Sequence, residues 1–88
     1  MSDIEWTKAL RRAALEGAVR VEVSWMFKPG EAAYQLRSVD AGGETIGDDR
    51  DYDILKAKMT PLERLAEASG SSKGRASLDL VAGTLEIR

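Results

Sequence analysis

The sequence predicts an α+β fold, ordered helix–hairpin–helix–hairpin, with a mainly antiparallel four-stranded sheet that carries both helices on one face. Three observations predict it. Residues 19–28 alternate apolar and polar before a Pro-Gly turn, and a second alternating run follows the turn. Two segments with helical spacing each open on a Ser/Thr-x-x-Glu capping box. The last residues alternate again on both sides of Ala82-Gly83. Helix stripes and one-faced strands of this kind bury their apolar sides by stacking as two layers.

Element by element, SDIE opens the chain, with Ser2 and Glu5 placed to satisfy free backbone donors at a helix start. Trp6, Ala9, Leu10, Ala13 and Ala14 recur at helical spacing, and Gly17 is expected to end the helix. Val19, Val21, Val23, Trp25 and Phe27 then alternate with Arg20, Glu22, Ser24, Met26 and Lys28, which predicts a strand with one buried face. Pro29-Gly30 supplies a tight turn. AAYQLRSV is the returning strand, with Tyr34 and Leu36 inward, and ETIG is a short strand or loop. TPLE offers Thr60 as N-cap, Pro61 at the first helical position and Glu63 as the closing carboxylate. Leu62, Leu65, Ala66 and Ser69 continue that helix to Gly70. Residues 50–59, with Tyr52, Leu55 and Met59 on one side, are expected to add a helical piece. SGSSKG is a polar loop before the closing hairpin, whose bend is expected to be longer than two residues. The expected core comprises Trp6, Val21, Val23, Trp25, Leu36, Leu65, Leu78 and Leu85, and Met26 is expected at an exposed rim.

The 88 residues make one small domain, 1–88, of ordinary globular composition, with 43% hydrophobic and 32% charged residues. Cysteine and histidine are both absent. That excludes disulfides, thiolate chemistry and Cys/His metal sites, and removes the usual acid–base residue near neutral pH. No apolar run approaches the roughly 20 residues that span a bilayer. The expectation is a cytoplasmic protein with no membrane partner, no cofactor and no catalytic residue. SGSSKG is not a phosphate loop, because Lys73 precedes Gly74 and the segment leads from a helix to a strand.

Charge is concentrated in one place. Residues 41–53 hold Glu44, Asp48, Asp49, Asp51 and Asp53 against Arg50 alone, within a net charge of −2. The alternating carboxylates of DDRDYD resemble a calcium loop. Counted from Asp49, however, Ile54 stands where such a loop needs glycine and Thr60 where it needs glutamate. No specific metal site is expected. Carboxylates also suit a helix start, but this run is denser than a cap requires. Glu44, Asp48, Asp49, Asp51, Tyr52 and Asp53 are therefore the candidate contact surface for a protein partner with a basic surface, Tyr52 being its aromatic anchor. Direct nucleic-acid binding is not expected, since no dense basic stripe is present, although Arg11, Arg12 and Arg37 could converge in space.

SLDLVAGTLEI, following a helix that ends in Gly70 and a polar loop, resembles the closing hairpin of the YezG-type bacterial toxin-immunity proteins. VRVEVSWMF after an N-terminal helix, and the acidic segment with Tyr52 before the second helix, stand in similar order. The resemblance implies a small cytoplasmic protein that binds and blocks a toxic enzyme. A phage-encoded anti-defence inhibitor would carry the same features. Two other classes remain open: a regulatory or structural module that forms a homodimer through a sheet edge, with LEIR as the expected edge, and an enzyme using Tyr34, Asp40, Glu44 and Asp79.

Overall fold

The computed structural model describes residues 2–47 and 51–88. The elements are α1 (Ser2–Ala13), β1 (Arg20–Lys28), β2 (Glu31–Val39), α2 (Tyr52–Ala68), β3 (Lys73–Asp79) and β4 (Leu85–Ile87). The strands form a single antiparallel sheet in the order β2-β1-β3-β4. The fold is thus α+β, two helices with a four-stranded antiparallel sheet.

β1 is central and is the strand with the cleanest alternation. Its Val21, Val23 and Trp25 are buried, while Arg20 and Met26 are exposed. They cluster with Trp6, Leu10 and Ala13 of α1, Leu62 and Ala66 of α2, and Ala76 and Leu78 of β3. Leu36, Leu65 and Leu85, expected in the core, are only partly buried and pack against its edge. Small Ala13, Ala66 and Ala76 are almost fully buried within this cluster. The Trp6 and Trp25 rings stack at 5.5 Å with 16° between their planes.

Lys28 and Glu31 are register partners across Pro29-Gly30, and Gly30 has φ 77°, a value that glycine adopts without steric cost. This turn fixes the whole β1–β2 register, including Glu22 opposite Arg37. Three local expectations need correction. Helix α1 ends at Ala13, so Gly17 does not cap it; residues 14–18 form a turn in which Ala18 N–H donates to the Leu15 carbonyl. Lys73 and Gly74 belong to β3 rather than to the loop, whereas Leu80 lies beyond it. The third concerns α2. Thr60 is not its N-cap and Pro61 is not its first residue, because the helix starts at Tyr52 and runs through Pro61. A mid-helix proline removes one backbone bond and costs about 3 kcal/mol. The stripe Leu55, Met59, Leu62 and Ala66 offsets it: Leu62 and Ala66 are fully buried and Met59 packs on the core. The Thr60 hydroxyl, free of any capping role, donates to the Lys56 carbonyl one turn back at 2.9 Å.

Candidate functional site

The start of α2 carries the acidic segment that the sequence singles out. Asp51 is the N-cap, its Oδ1 accepting from the backbone N–H of Asp53 at 2.9 Å and of Ile54 at 3.3 Å. Part of the alternating carboxylate pattern is therefore explained by the helix itself. Asp53 lies in the first turn, where the helix dipole favours an anion. Tyr52 is 72% and Ile54 49% exposed beside these carboxylates. Glu44 is exposed on the preceding loop, its N–H held by Asp40 Oδ1. Asp48 and Asp49 lie outside the described residues. Between Tyr52 and Ala57 only Leu55 is even partly buried, so the first turns of α2 stand clear of the core.

Asp51→Ala is expected to cost about 1 kcal/mol, because two backbone donors lose their acceptor. The loss should concentrate in the first turn, with faster amide hydrogen exchange at Asp53 and Ile54, and Asp51→Asn should restore protection. Unchanged exchange in the alanine variant would show that the cap contributes nothing.

A second surface was not visible in the sequence. Register brings Arg20, Glu22, Ser24, Gln35, Arg37 and Arg75 together around one shallow groove of about 380 Å³. Two neighbouring grooves, of about 420 and 670 Å³, also include Arg75 and share Arg88. Glu22 and Arg37 pair at 3.5 Å, and Glu86 pairs with Arg88. Arg20 and Arg75 have no ion-pair partner among the described residues. Guanidinium groups so placed can hold carboxylate or phosphate oxygens. The only local trace is that β1 and β3 each alternate an arginine with small or acidic polar residues, which does not show that the strands meet. Only the β1–β3 pairing, which joins distant segments, brings Arg75 to the groove that Arg20 and Arg37 line. Arg11 and Arg12 do not join Arg37. They stand on α1, and Arg12 lines a groove between the helices with Arg64 and Leu65.

The residues considered for catalysis are dispersed. Asp40 Oδ1 accepts from Gly42 and Glu44 N–H, and Asp79 Oδ1 from Val81 and Ala82 N–H, so both carboxylates brace turns. Asp79 and Tyr34 line separate grooves. The Tyr34 hydroxyl donates to Glu67 Oε1 at 3.1 Å. Partial burial, with help from that hydrogen bond, raises the Tyr34 phenol above its ordinary value. The folded state thus holds the phenol proton longer than the unfolded chain. This contribution to stability is present below the ordinary tyrosine range and is lost as pH rises through the raised value. Among the described residues no group of three or more acidic side chains is placed to hold a metal ion, and no helix is long and apolar enough to cross a membrane.

No family model, curated protein or solved structure matches this chain.

Proposed function

We propose that this chain is a small cytoplasmic binding protein that inhibits a partner protein, of the toxin-immunity type, by docking the start of α2 against a basic surface. In this reading both helices cover the sheet face that carries Val21, Val23 and Trp25, and the start of α2 projects beyond it. The observation that carries the reading is the exposure of Tyr52 and Ile54 among carboxylates. An aromatic and an aliphatic anchor within a charged rim is the usual composition of a binding hot spot. Long-range attraction from Glu44, Asp48, Asp49 and Asp53 would steer a basic partner to it. The resemblance of the sequence to YezG-type immunity proteins points to the same class.

The experiment pairs the purified chain with basic proteins encoded beside its gene and follows binding kinetics. Tyr52→Ala is expected to weaken binding roughly 30-fold, the effect of losing a hot-spot side chain worth about 2 kcal/mol. Neutralising Asp48, Asp49 and Asp53 to Asn, with the Asp51 cap retained, should slow association. Folding should change little, since exposed charges contribute little stability. High salt should shrink the difference, because screening already removes the steering. Unchanged rates at low salt for both variants would leave the acidic run as a helix start and nothing more.

A further inference from the structure

The sheet has two edges, and they are not equivalent. β4 is a three-residue strand, and the backbone of Arg88 beyond it exchanges bonds with Arg75 at 2.8 and 2.9 Å. The opposite edge, β2, has nine residues. The phase of the ladder fixes which of its backbone groups are free. Within β1, Phe27 N–H donates to the Ser72 carbonyl, so the odd residues of the strand bond toward β3; just before the strand Val19 is split, its carbonyl accepting from Leu80 N–H and its N–H donating to the Val39 carbonyl. In an antiparallel sheet the even residues must then bond toward β2, where their register partners are Glu31, Ala33, Gln35, Arg37 and Val39. The backbones of Ala32, Tyr34, Leu36 and Ser38 consequently point off the sheet. Ser38 bears this out, since its carbonyl accepts the Ile46 N–H at 2.9 Å, and Val39 bridges Thr45. Among the described residues, no second strand meets the outward backbone groups of Ala32, Tyr34 and Leu36.

The open run is bounded by the Pro29-Gly30 turn at one end and by the Thr45-Ile46 segment at the other. Natural edges are usually guarded by proline, a bulge or a charge in mid-strand. Glu31–Arg37 has none of these. Its two charged residues stand at its ends, with opposite signs, and Ala32, Ala33 and Gln35 between them are exposed. The run is also self-complementary. Antiparallel pairing of two copies about Tyr34 sets Ala32 opposite Leu36 and Tyr34 opposite Tyr34, and roughly six backbone bonds form from the free groups. Glu31 of each copy then stands opposite Arg37 of the other, on the face where Arg37 already meets Glu22. A shift of two residues one way sets Ala32 against Ser38, whose carbonyl is taken. A shift the other way sets Leu36 against Gly30 in the turn. Either shift separates Glu31 from Arg37.

We propose that this chain forms a two-fold symmetric homodimer through β2, paired antiparallel about Tyr34, so that the two sheets become one. The occupant of the edge is a second copy because the register that uses every free backbone group also matches opposite charges at both ends. The arginine-lined grooves of the two copies then share one continuous polar face, with Glu31 of each copy added beside Arg37 of the other. The proposal rests on the β2 edge and not on α2, so the dimer and the docking reading can each fail alone.

Sedimentation equilibrium over a range of concentrations tests it. The unaltered chain is expected to dimerise reversibly. Glu31→Arg alone and Arg37→Glu alone should each weaken self-association about tenfold or more, because like charges then face each other at both ends. An equimolar mixture of the two variants should dimerise again, since each new charge faces its opposite in the heterodimer. Ala32→Pro should give a folded monomer by circular dichroism, because it deletes an N–H that points away from β1. A chain that stays monomeric at millimolar concentration overturns the proposal. So does a dimer indifferent to Glu31→Arg and Ala32→Pro, or a mixture that fails to re-associate. A strand of another protein pairing with β2, with the chain itself monomeric, would equally rule out the second copy as its occupant.

Discussion

Trp25→Ala is expected to remove about 3–5 kcal/mol of folding stability, the cost of deleting a large buried aromatic side chain. Trp25 is 3% exposed and joins three parts of the fold. Its ring stacks on Trp6 of α1. Its Nε1–H donates to the Ser71 carbonyl at 3.2 Å, fixing the loop that leads into β3. Its far edge lies over the backbone of Gly74. Removing it opens a cavity, leaves Trp6 without its stacking partner and frees the Ser71 carbonyl. A domain of this length is stabilised by only about 4–13 kcal/mol at ordinary values per residue. The variant should therefore have a much lower urea midpoint and be partly unfolded near 40 °C. Trp25→Phe keeps most of the apolar area and should recover more than half of the loss. A loss under about 1 kcal/mol for the alanine variant would mean that Trp25 is not central to the core, contrary to its burial.

Gly74→Ala is expected to destabilise by about 1–3 kcal/mol, the range for overpacking a filled core. The direction is informative, because in an ordinary strand position replacing glycine with alanine is favourable. The backbone at Gly74 is not in a conformation reserved for glycine; only the space is missing. A Cβ there would lie 2.7 Å from Cε2 and 2.9 Å from Cη2 of Trp25, and closer still to Cζ2. The indole cannot retreat easily, since Trp6 backs it on the other side and its N–H is held by Ser71. A double-mutant cycle measures the clash: in a Trp25→Leu background the added methyl should cost little or nothing. Equal penalties in both backgrounds would place the strain elsewhere.

These two residues show how far the sequence could be read. Trp25 was legible, because it continues the alternation Val21, Val23 of the strand that became the sheet's centre. Gly74 was not, because its reason is an indole some 50 positions earlier in the chain. The acidic segment was legible as composition, and its role as a cap followed once Asp51 was seen holding two amides. The helical piece at residues 50–59 was legible, and only the cap at Thr60 was not, because two cap sequences compete. TPLE satisfies the local rules for a helix start, yet Leu55 and Met59 extend the apolar stripe of Leu62 and Ala66, and burying that stripe outweighs one missing bond at Pro61.

By itself the sequence determined what is set between near neighbours. Alternation assigned the faces of β1, and the two-residue turn at Pro29-Gly30 fixed the β1–β2 register and hence the Glu22–Arg37 pair. These rest on local dihedral preferences and short loop closure, which a few residues specify. The tertiary structure alone decided the strand order β2-β1-β3-β4. Nothing local says whether β3 joins the free side of β1 or of β2, since β3 arrives after a helix and the choice depends on which pairing completes the shared core. That order gathers Arg20, Arg37 and Arg75 around one groove, lays Gly74 beneath Trp25 and leaves β2, not the C-terminal strand, as the long open edge. Each is a consequence of pairing residues far apart in the chain, where the free energy lies in shared burial rather than in any one segment.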